Sequence, residues 1–169
     1  MRPGVRLRAV RDEDAEALIA LVGAAYAEHP GCVLDLPGVD ADLRAPASTA
    51  AARRGPWWVL EHAEVVIGTV GAGAPDGTGT IELKRLYLDA VWRGQGLAGE
   101  LVRHVEAHAA QVDARRIELW SDTRFEAAHH RYEQLGYRPT GETRELDDPS
   151  QTTEYRFVKQ LEDGATTDG

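Results

Sequence analysis

Cysteine is nearly absent from this chain: Cys32 is the single one among 169 residues. One cysteine excludes an intrachain disulfide and leaves no cysteine cluster for zinc, and the histidines are too scattered to predict another metal site. Reduced thiols are typical of the cytosol, so we expect a cytoplasmic protein. No apolar run approaches the roughly 18 residues that a membrane span needs, and residues 1–18 lack the apolar core of a signal peptide. The sequence therefore predicts no membrane partner.

Basic residues are also scarce. Lysine and arginine number 19 against 28 aspartates and glutamates, which gives a net charge of −9. Binding to nucleic acid requires a basic face, so this balance argues against nucleic acid as a partner. Long-range attraction favours a neutral or cationic substrate instead. An anionic cofactor would need a local reversal of charge.

The apolar residues alternate between the two-residue repeat of strands and the 3.6-residue repeat of helices. Strands are predicted at 5–10, 57–62, 64–73, 80–90, 115–121, 137–146 and 153–161. Helices are predicted after Asp12, within 39–54 with an interruption at Pro46, over 97–112, and after a capping box formed by Thr123 and Glu126. This order, β-α-α-β-β-β-α-β-α-β-β, predicts an α/β (α+β) fold with a mixed, mostly antiparallel sheet flanked by helices. We expect one domain over 1–161 and a disordered tail at 162–169.

Three glycines fall where a predicted strand gives way to a predicted helix, in the stretch WRGQGLAGE at 92–100. The first amides of a helix have no partner inside the helix, and with the helix dipole they favour an anion. Gly94 and Gly96 let the backbone approach a ligand closely, while Arg93 adds a charged donor for phosphate. Residues 84–103 carry four basic side chains against two acidic ones. The stretch therefore predicts a diphosphate site.

Two phosphate-binding motifs compare differently with this stretch. The P-loop string G-x-x-x-x-G-K-[S/T] does not occur in the chain. Gly94, Gly96 and Gly99 match the letters of the dinucleotide fingerprint G-x-G-x-x-G, but the strands before them are predicted to be antiparallel, which is not its context. A glycine-rich turn that serves only packing is the alternative. For Gly99 we expect such a role, in close packing of the new helix on the sheet.

The residues RGQGLA at 93–98 also resemble the Arg/Gln-x-x-Gly-x-Gly/Ala signature of the GNAT superfamily of N-acyltransferases. The resemblance extends upstream through ELKRLYLDAVW at 82–92. Downstream, AAHHRYEQLGYRPTGE at 127–142 is similar to the A-x-x-x-Y-x-x-x-G-F/Y segment of the family. The three motifs follow the order of the family's elements and cover roughly 57–146, about half of the chain.

This resemblance implies an N-acetyltransferase that uses acetyl-CoA and acetylates a primary amine of a small molecule or peptide by direct attack. The strand 81–88 would part from its neighbour RRIELWS and leave a gap for the pantetheine arm. Backbone groups of Leu86 and Leu88 would bond to that arm and polarise the thioester carbonyl. Backbone amides of 93–98 would bind the diphosphate. The candidate cofactor residues are thus Leu86, Tyr87, Leu88, Arg93, Gly94, Gln95, Gly96, Leu97 and Ala98. The sequence leaves the oligomeric state open, although homodimers are common in the family.

Amine attack requires a base for the ammonium and an acid for the leaving thiolate. Tyr132 occupies the position of the family's acid tyrosine, although a core tyrosine on a helix face would show the same pattern. Glu82 is the candidate base, at a place where family members often carry a glutamate. Strand alternation predicts one face shared by Glu82, Lys84, Leu86 and Leu88. Other candidates for the base are Asp122, His129 and Glu118.

The acceptor site is expected between the segment 26–56 and the last strands, a part of the chain that the resemblance does not illuminate. Its polar candidates are Tyr26, His29, Asp35, Asp40 and Arg44. The alternative functions are a non-catalytic acyl-CoA-binding regulatory module, an acyltransferase with another acyl donor or an alcohol acceptor, and a nucleotide-binding oxidoreductase.

Overall fold

The computed structural model describes residues 1–162, so positions 163–169 of the predicted tail lie outside the described part. The strands are β1 (Val5–Ala9), β2 (Trp57–His62), β3 (Val65–Ala72), β4 (Thr80–Leu88), β5 (Arg116–Asp122), β6 (Arg138–Glu145) and β7 (Thr153–Gln160). The helices are α1 (Ala15–Ala27), α2 (Pro46–Arg53), α3 (Leu97–Gln111) and α4 (Glu126–Gln134), with short 3-10 turns at 12–14, 41–44 and 90–92. The predicted order of elements is confirmed.

The seven strands form one sheet in the order β1-β2-β3-β4-β5-β7-β6. Every neighbouring pair is antiparallel except β4 and β5, which run parallel because α3 crosses over between them. The predicted mixed, mostly antiparallel sheet is therefore confirmed.

The parallel pair β4–β5 is short. Its register contains three residue pairs, and the last joins Glu82 to Glu118. Strand β4 continues to Leu88 and β5 to Asp122 without further pairing between them. The two strands thus part in the middle of the sheet, as predicted, and leave a wedge-shaped gap.

Strand β4 also contains a bulge. Its register with β3 shifts by one residue between Lys84 and Tyr87, and Arg85 has a φ of 53°. An extra residue in one strand reverses the alternation of side chains beyond it. The predicted single face from Glu82 to Leu88 is therefore wrong. Beyond the bulge Tyr87 continues the face of Glu82 and Lys84, whereas Leu88 turns into the core with 8% of its surface exposed.

Apolar side chains cover both faces of the sheet. The neighbours Val59 and Leu60 point to opposite faces, and each belongs to a different core cluster. The Leu60 cluster contains the apolar stripe of α3, and the Val59 cluster contains that of α1. A wedge between β4 and β5 is therefore flanked by helices on both sides. No helix of the described residues is long and apolar enough to cross a membrane.

Three helix ends bear on the site. Pro46 is the first residue of α2, so it restarts the helix as expected. Gly136 follows the C-cap Leu135 of α4 with a φ of 94°, a conformation that favours glycine and ends the helix. The predicted capping box of Thr123 and Glu126 is wrong, because α4 begins at Glu126 and the preceding turn is closed by Asp122 instead.

Candidate active site

A cleft of about 820 Å³ occupies the wedge between β4 and β5. Its loop side consists of lining residues from 86–88 and 93–98 together with Arg131 and Tyr132 of α4. Its far side consists of Glu82 and Lys84 together with lining residues from the segments 32–53 and 144–154. The predicted cofactor residues all line the cleft except Gln95, whose side-chain amide donates to the carbonyl of Val91 at 3.2 Å.

The loop side presents open backbone at two glycines. Gly94 and Gly96 have φ angles of 73° and 83°, a region that strongly favours glycine. A Cβ atom built on either residue would meet no atom of residues 1–162 within 4 Å apart from its chain neighbours, so the described part of the chain leaves the space above them open. Gly96 is also the N-cap of α3, where unpaired amides and the helix dipole favour an anion. The geometry fits a diphosphate lying against this backbone.

Two arginines that the motif did not point to cover the first turn of α3. A Cβ built on Gly99 would lie 3.3 Å from a guanidinium nitrogen of Arg103 and of Arg131. The absent side chain of Gly99 thus makes room for these arginines, whereas we had expected it to face the sheet. Cations at a helix N-terminus are unfavourable by themselves. A bound anion would reverse that balance. Arg131 directly precedes Tyr132, but nothing in the pattern marked it as a phosphate ligand.

Arg93 connects the loop side to α1. Its guanidinium forms a two-pronged ion pair with Glu28, with nitrogen–oxygen distances of 2.8 Å, and its Nε donates to the carbonyl of Leu88 at 3.2 Å. Both charged side chains are about four-tenths exposed. The carboxylate of Glu28 therefore holds the guanidinium of Arg93 at the cleft, and an anionic ligand would have to compete with Glu28 for it.

Tyr132 lies in the wall of the cleft, with 8% of its surface exposed. Its ring packs near Tyr137 and Phe157. Burial, reinforced by Tyr87, raises the pKa of the phenol above its ordinary value. Among residues 1–162 its hydroxyl has no hydrogen-bond partner, and it is not sealed from solvent. The phenol therefore stays protonated near neutral pH and can donate to an atom in the cleft.

Glu82 lies where β4 and β5 begin to part. Its side chain is 25% exposed, with Lys84 Nζ at 3.6 Å and a guanidinium nitrogen of Arg144 at 3.8 Å. The other carboxylates of the cleft wall each accept a hydrogen bond of 3.0 Å or shorter. They are Glu28, Asp40, Asp42, Asp122, Asp148 and Glu154. Within the described part of the wall, Glu82 is the carboxylate with no hydrogen bond, and it is available to take a proton.

The other candidates for the base are engaged or lie elsewhere. Asp122 lines the cleft, but Arg124 binds both of its oxygens. Burial would raise the pKa of Asp122, yet the bonds from Arg124 hold it below its ordinary value. His129 does not line the cleft, and its Nε2 lies 2.9 Å from the carbonyl oxygen of Asp122. Glu118 is bonded to Arg156 and faces a smaller neighbouring pocket.

A buried charge cluster ties the far side to the bulge of β4. The guanidinium of Arg85 donates one hydrogen bond to Asp40 at 3.0 Å and two hydrogen bonds, from different nitrogens, to Asp42. These three side chains are 12%, 2% and 9% exposed. Tyr87 donates to Tyr26 at 3.5 Å, and Tyr26 donates to Asp40 at 3.3 Å. The cluster fixes the segment 39–42 against the strand that lines the cleft.

The expected acceptor segments do line the cleft. Of the five polar candidates, Tyr26, His29 and Asp40 are in its wall, whereas Asp35 and Arg44 are not. The wall also contains Trp120, and the guanidinium of Arg144 stacks over its ring at 4.5 Å.

A family model described as the Acetyltransferase (GNAT) family matches residues 16–137, more than half of the chain. This chain therefore belongs to the Acetyltransferase (GNAT) family. The family that the motifs suggested, and the fold that it implies, are confirmed.

Known relatives agree with this assignment. The chain is 34% identical over 96 residues to an N-acetylaspartate synthetase of Danio rerio, a match that covers 57% of this chain and 34% of the relative. It thus spans about a third of that protein's length. Among solved structures, an acetyltransferase from Streptococcus agalactiae superposes with a TM-score of 0.79 at 20% identity, over 95% of this chain and 100% of the other. The PaiA N-acetyltransferase of Thermoplasma acidophilum, solved in complex with coenzyme A, gives a TM-score of 0.69 at 13% identity, over 93% and 99%. At these identities the two structures support the fold.

Proposed function

We propose that this chain is an acetyl-CoA-dependent N-acetyltransferase that acetylates a primary amine of a small molecule or peptide. The observation that carries the proposal is the wedge itself. It begins at Glu82 and passes the phenol of Tyr132, two groups with no hydrogen bond among residues 1–162, and it ends at the open backbone of Gly94 and Gly96. Family membership supports the same reaction.

The loop side would hold the cofactor. Amides around Gly94 and Gly96 would bind the diphosphate, with Arg103 and Arg131 close to the same turn. Leu86 and Leu88 lie beyond the last β4–β5 pair, so their strand edge is not bonded to β5 and would face the pantetheine arm, with the carbonyl of Leu88 already accepting from Arg93. The cofactor supplies a thioester, an activated acyl group that an uncharged amine can attack.

Two side chains would handle protons. Glu82 takes a proton from the ammonium of the acceptor, because only the neutral amine is a nucleophile. A carbon–nitrogen bond then forms at the carbonyl carbon and the carbon–sulfur bond breaks. Tyr132 would donate its phenolic hydrogen to the departing sulfur, and the phenolate would take back the second proton that the nitrogen loses as it becomes an amide. The raised pKa of Tyr132 ensures that its hydrogen is present at neutral pH.

The test combines binding with turnover. Acetyl-CoA affinity is measured by calorimetry, and release of CoA thiol is followed with polyamines, amino acids, aminoglycosides and peptide N-termini. We expect acetyl-CoA to bind and at least one amine to release thiol. Binding without release by any amine or alcohol would favour the regulatory acyl-CoA-binding module. Preference for another acyl-CoA would change the donor, and binding of NAD in place of CoA would favour the oxidoreductase.

The setting and assembly belong to the proposal as well. A cytoplasmic location rests on the single cysteine, and Cys32 is a buried thiol whose pKa is raised by that burial. A homodimer rests on family resemblance, and size-exclusion chromatography with light scattering would test it.

A further inference from the structure

The far side of the cleft contains two cationic side chains, Lys84 and Arg144, with donor groups that form no close hydrogen bond among residues 1–162. Lys84 makes no hydrogen bond within residues 1–162, and its ion pair with Glu82 is 3.6 Å long. Arg144 gives its Nε to Glu154 at 2.7 Å, while the nitrogen nearest Glu82 is 3.8 Å away. Both side chains are about 40% exposed and line the cleft. Donors therefore flank Glu82 on two sides.

These cations are too far from the loop side to serve a diphosphate there. Lys84 stands four positions before Leu88 on β4, which corresponds to roughly 13 Å at the usual rise per residue, and the turn at Gly94 and Gly96 lies beyond Leu88. Arg144 contacts Glu82, two positions further back on the strand. The loop side also has its own arginines, Arg93 and Arg131. The charges beside Glu82 must therefore act on whatever occupies the far side.

The balance of charge indicates what that occupant carries. The four charged side chains in contact around Glu82, namely Glu82, Lys84, Arg144 and Glu154, together have no net charge. An acceptor with only an ammonium would leave this half-buried group with one unbalanced positive charge. An acceptor with an ammonium and a carboxylate is neutral overall and leaves the group balanced.

Building on the proposed function, we propose that the acceptor is an amine that also bears a carboxylate, an amino acid or the end of a short peptide. Lys84 and Arg144 bind the carboxylate, and Glu82 between them faces the ammonium. Stacking on Trp120 at 4.5 Å and the bond to Glu154 hold the Arg144 guanidinium in place for this purpose. The net charge of −9 does not oppose a zwitterion.

The experiment compares matched acceptors at saturating acetyl-CoA. Each pair differs in the charge of one carboxyl group: alanine and alaninamide for the α-carboxylate, aspartate and asparagine for a side-chain carboxylate. Rates are compared at equal concentrations of the neutral amine, because an α-amide lowers the pKa of the neighbouring amine. We expect kcat/KM, measured by thiol release, to favour the carboxylate member of at least one pair by about 10- to 100-fold.

Two variants locate the effect. Lys84→Met and Arg144→Met should each reduce that preference about tenfold by slowing the carboxylate member, with the affinity for acetyl-CoA unchanged. Arg138→Met is the matched control, since Arg138 lies on β6 with Arg144 but is exposed outside the cleft. It should keep the full preference.

The outcomes separate the inference from the function beneath it. Turnover of amines with no preference for a carboxylate, or a preference that survives both variants, would overturn the inference alone. Absence of turnover with every amine would overturn the proposed function and the inference together. Retained acetyl-CoA binding shows that each variant is folded.

Discussion

The two sides of the cleft are built from different kinds of sequence. The loop side comes mainly from one stretch, 86–98, in which a strand, a turn and a helix start follow one another. The far side is assembled from Glu82 and Lys84, the segments 32–53 and 144–154, and the end of β5. Local sequence therefore determines the first, and tertiary contacts determine the second. Glu28 and Arg93 connect the loop side to the end of α1 with an exposed ion pair.

The largest effect is expected on the loop side. Gly96→Glu would force a side chain into a backbone with φ of 83° and place a carboxylate over the helix N-terminus. We expect no measurable acetyl-CoA binding by calorimetry. Gly77→Glu is the control, because Gly77 also faces open space but lies in the turn before β4, away from the cleft. If Gly96→Glu bound as tightly as Gly77→Glu, the diphosphate would not lie there.

The next effect concerns the folding of the far side. Arg85→Met would leave Asp40, which is 2% exposed, without its ion-pair partner. Unpairing a buried charge costs about 3–5 kcal/mol, and the bonds that Asp40 keeps from Tyr26 and the Asp35 amide favour the lower end. Urea unfolding measures this loss. The double variant Arg85→Met with Asp40→Asn should recover part of it, and purely additive losses would contradict the coupling.

Tyr132→Phe tests the chemistry between the two sides. Removing the phenolic hydrogen should lower kcat by about 10²-fold or more, with little change in acetyl-CoA affinity. Tyr137→Phe is the matched control, because Tyr137 is also buried but bonds to Glu106 outside the cleft. Equal turnover by both variants would remove the acid role from Tyr132.

A smaller effect is expected at the ion pair between Glu28 and Arg93. Glu28→Gln would release Arg93 for phosphate and remove a negative charge near the diphosphate. We expect acetyl-CoA affinity to rise about twofold to fivefold, and this gain to shrink at high salt. Glu64→Gln removes an exposed charge in the β2–β3 turn and should change nothing. A loss of affinity in Glu28→Gln would mean that Glu28 positions Arg93 for its ligand.

The smallest effect is on the alkaline side of the pH profile. The acid form of Tyr132 is the active one, and burial raises its pKa above the ordinary value. The active form therefore persists past the pH at which an exposed tyrosine ionises, about 10. We expect no loss of kcat between pH 7 and about 9.5. A decline in that window which Tyr132→Phe abolishes would contradict the assignment.

The residues of the loop side could be located from the sequence because their information is local, and all of them but Gln95 line the cleft. Glycines at a strand–helix junction, an arginine beside them and a tyrosine one strand and one helix later are sufficient to place that side. The order and approximate limits of the elements followed from periodicity in the same way.

The far side was not predictable in detail, for reasons that specific residues show. The bulge at Arg85 is stabilised by Asp40 and Asp42, more than forty positions earlier, so the local alternation gave the wrong face for Leu88. The turn before α4 is set by the side chain of Asp122, which accepts hydrogen bonds from the backbone amide and the guanidinium of Arg124. These bonds override the local capping preference of Thr123.

The parting of β4 and β5 gives the sheet two edges in its interior. Past Glu82 and Glu118 the backbone groups on the facing edges of β4 and β5 form no hydrogen bonds with each other. A ligand with amide groups of its own would form hydrogen bonds with both edges and make the two parts of the sheet continuous. The reacting molecule would then also complete the hydrogen bonding of the sheet. Amide protons on the edge of β4 that faces β5 should therefore exchange more slowly once it is bound.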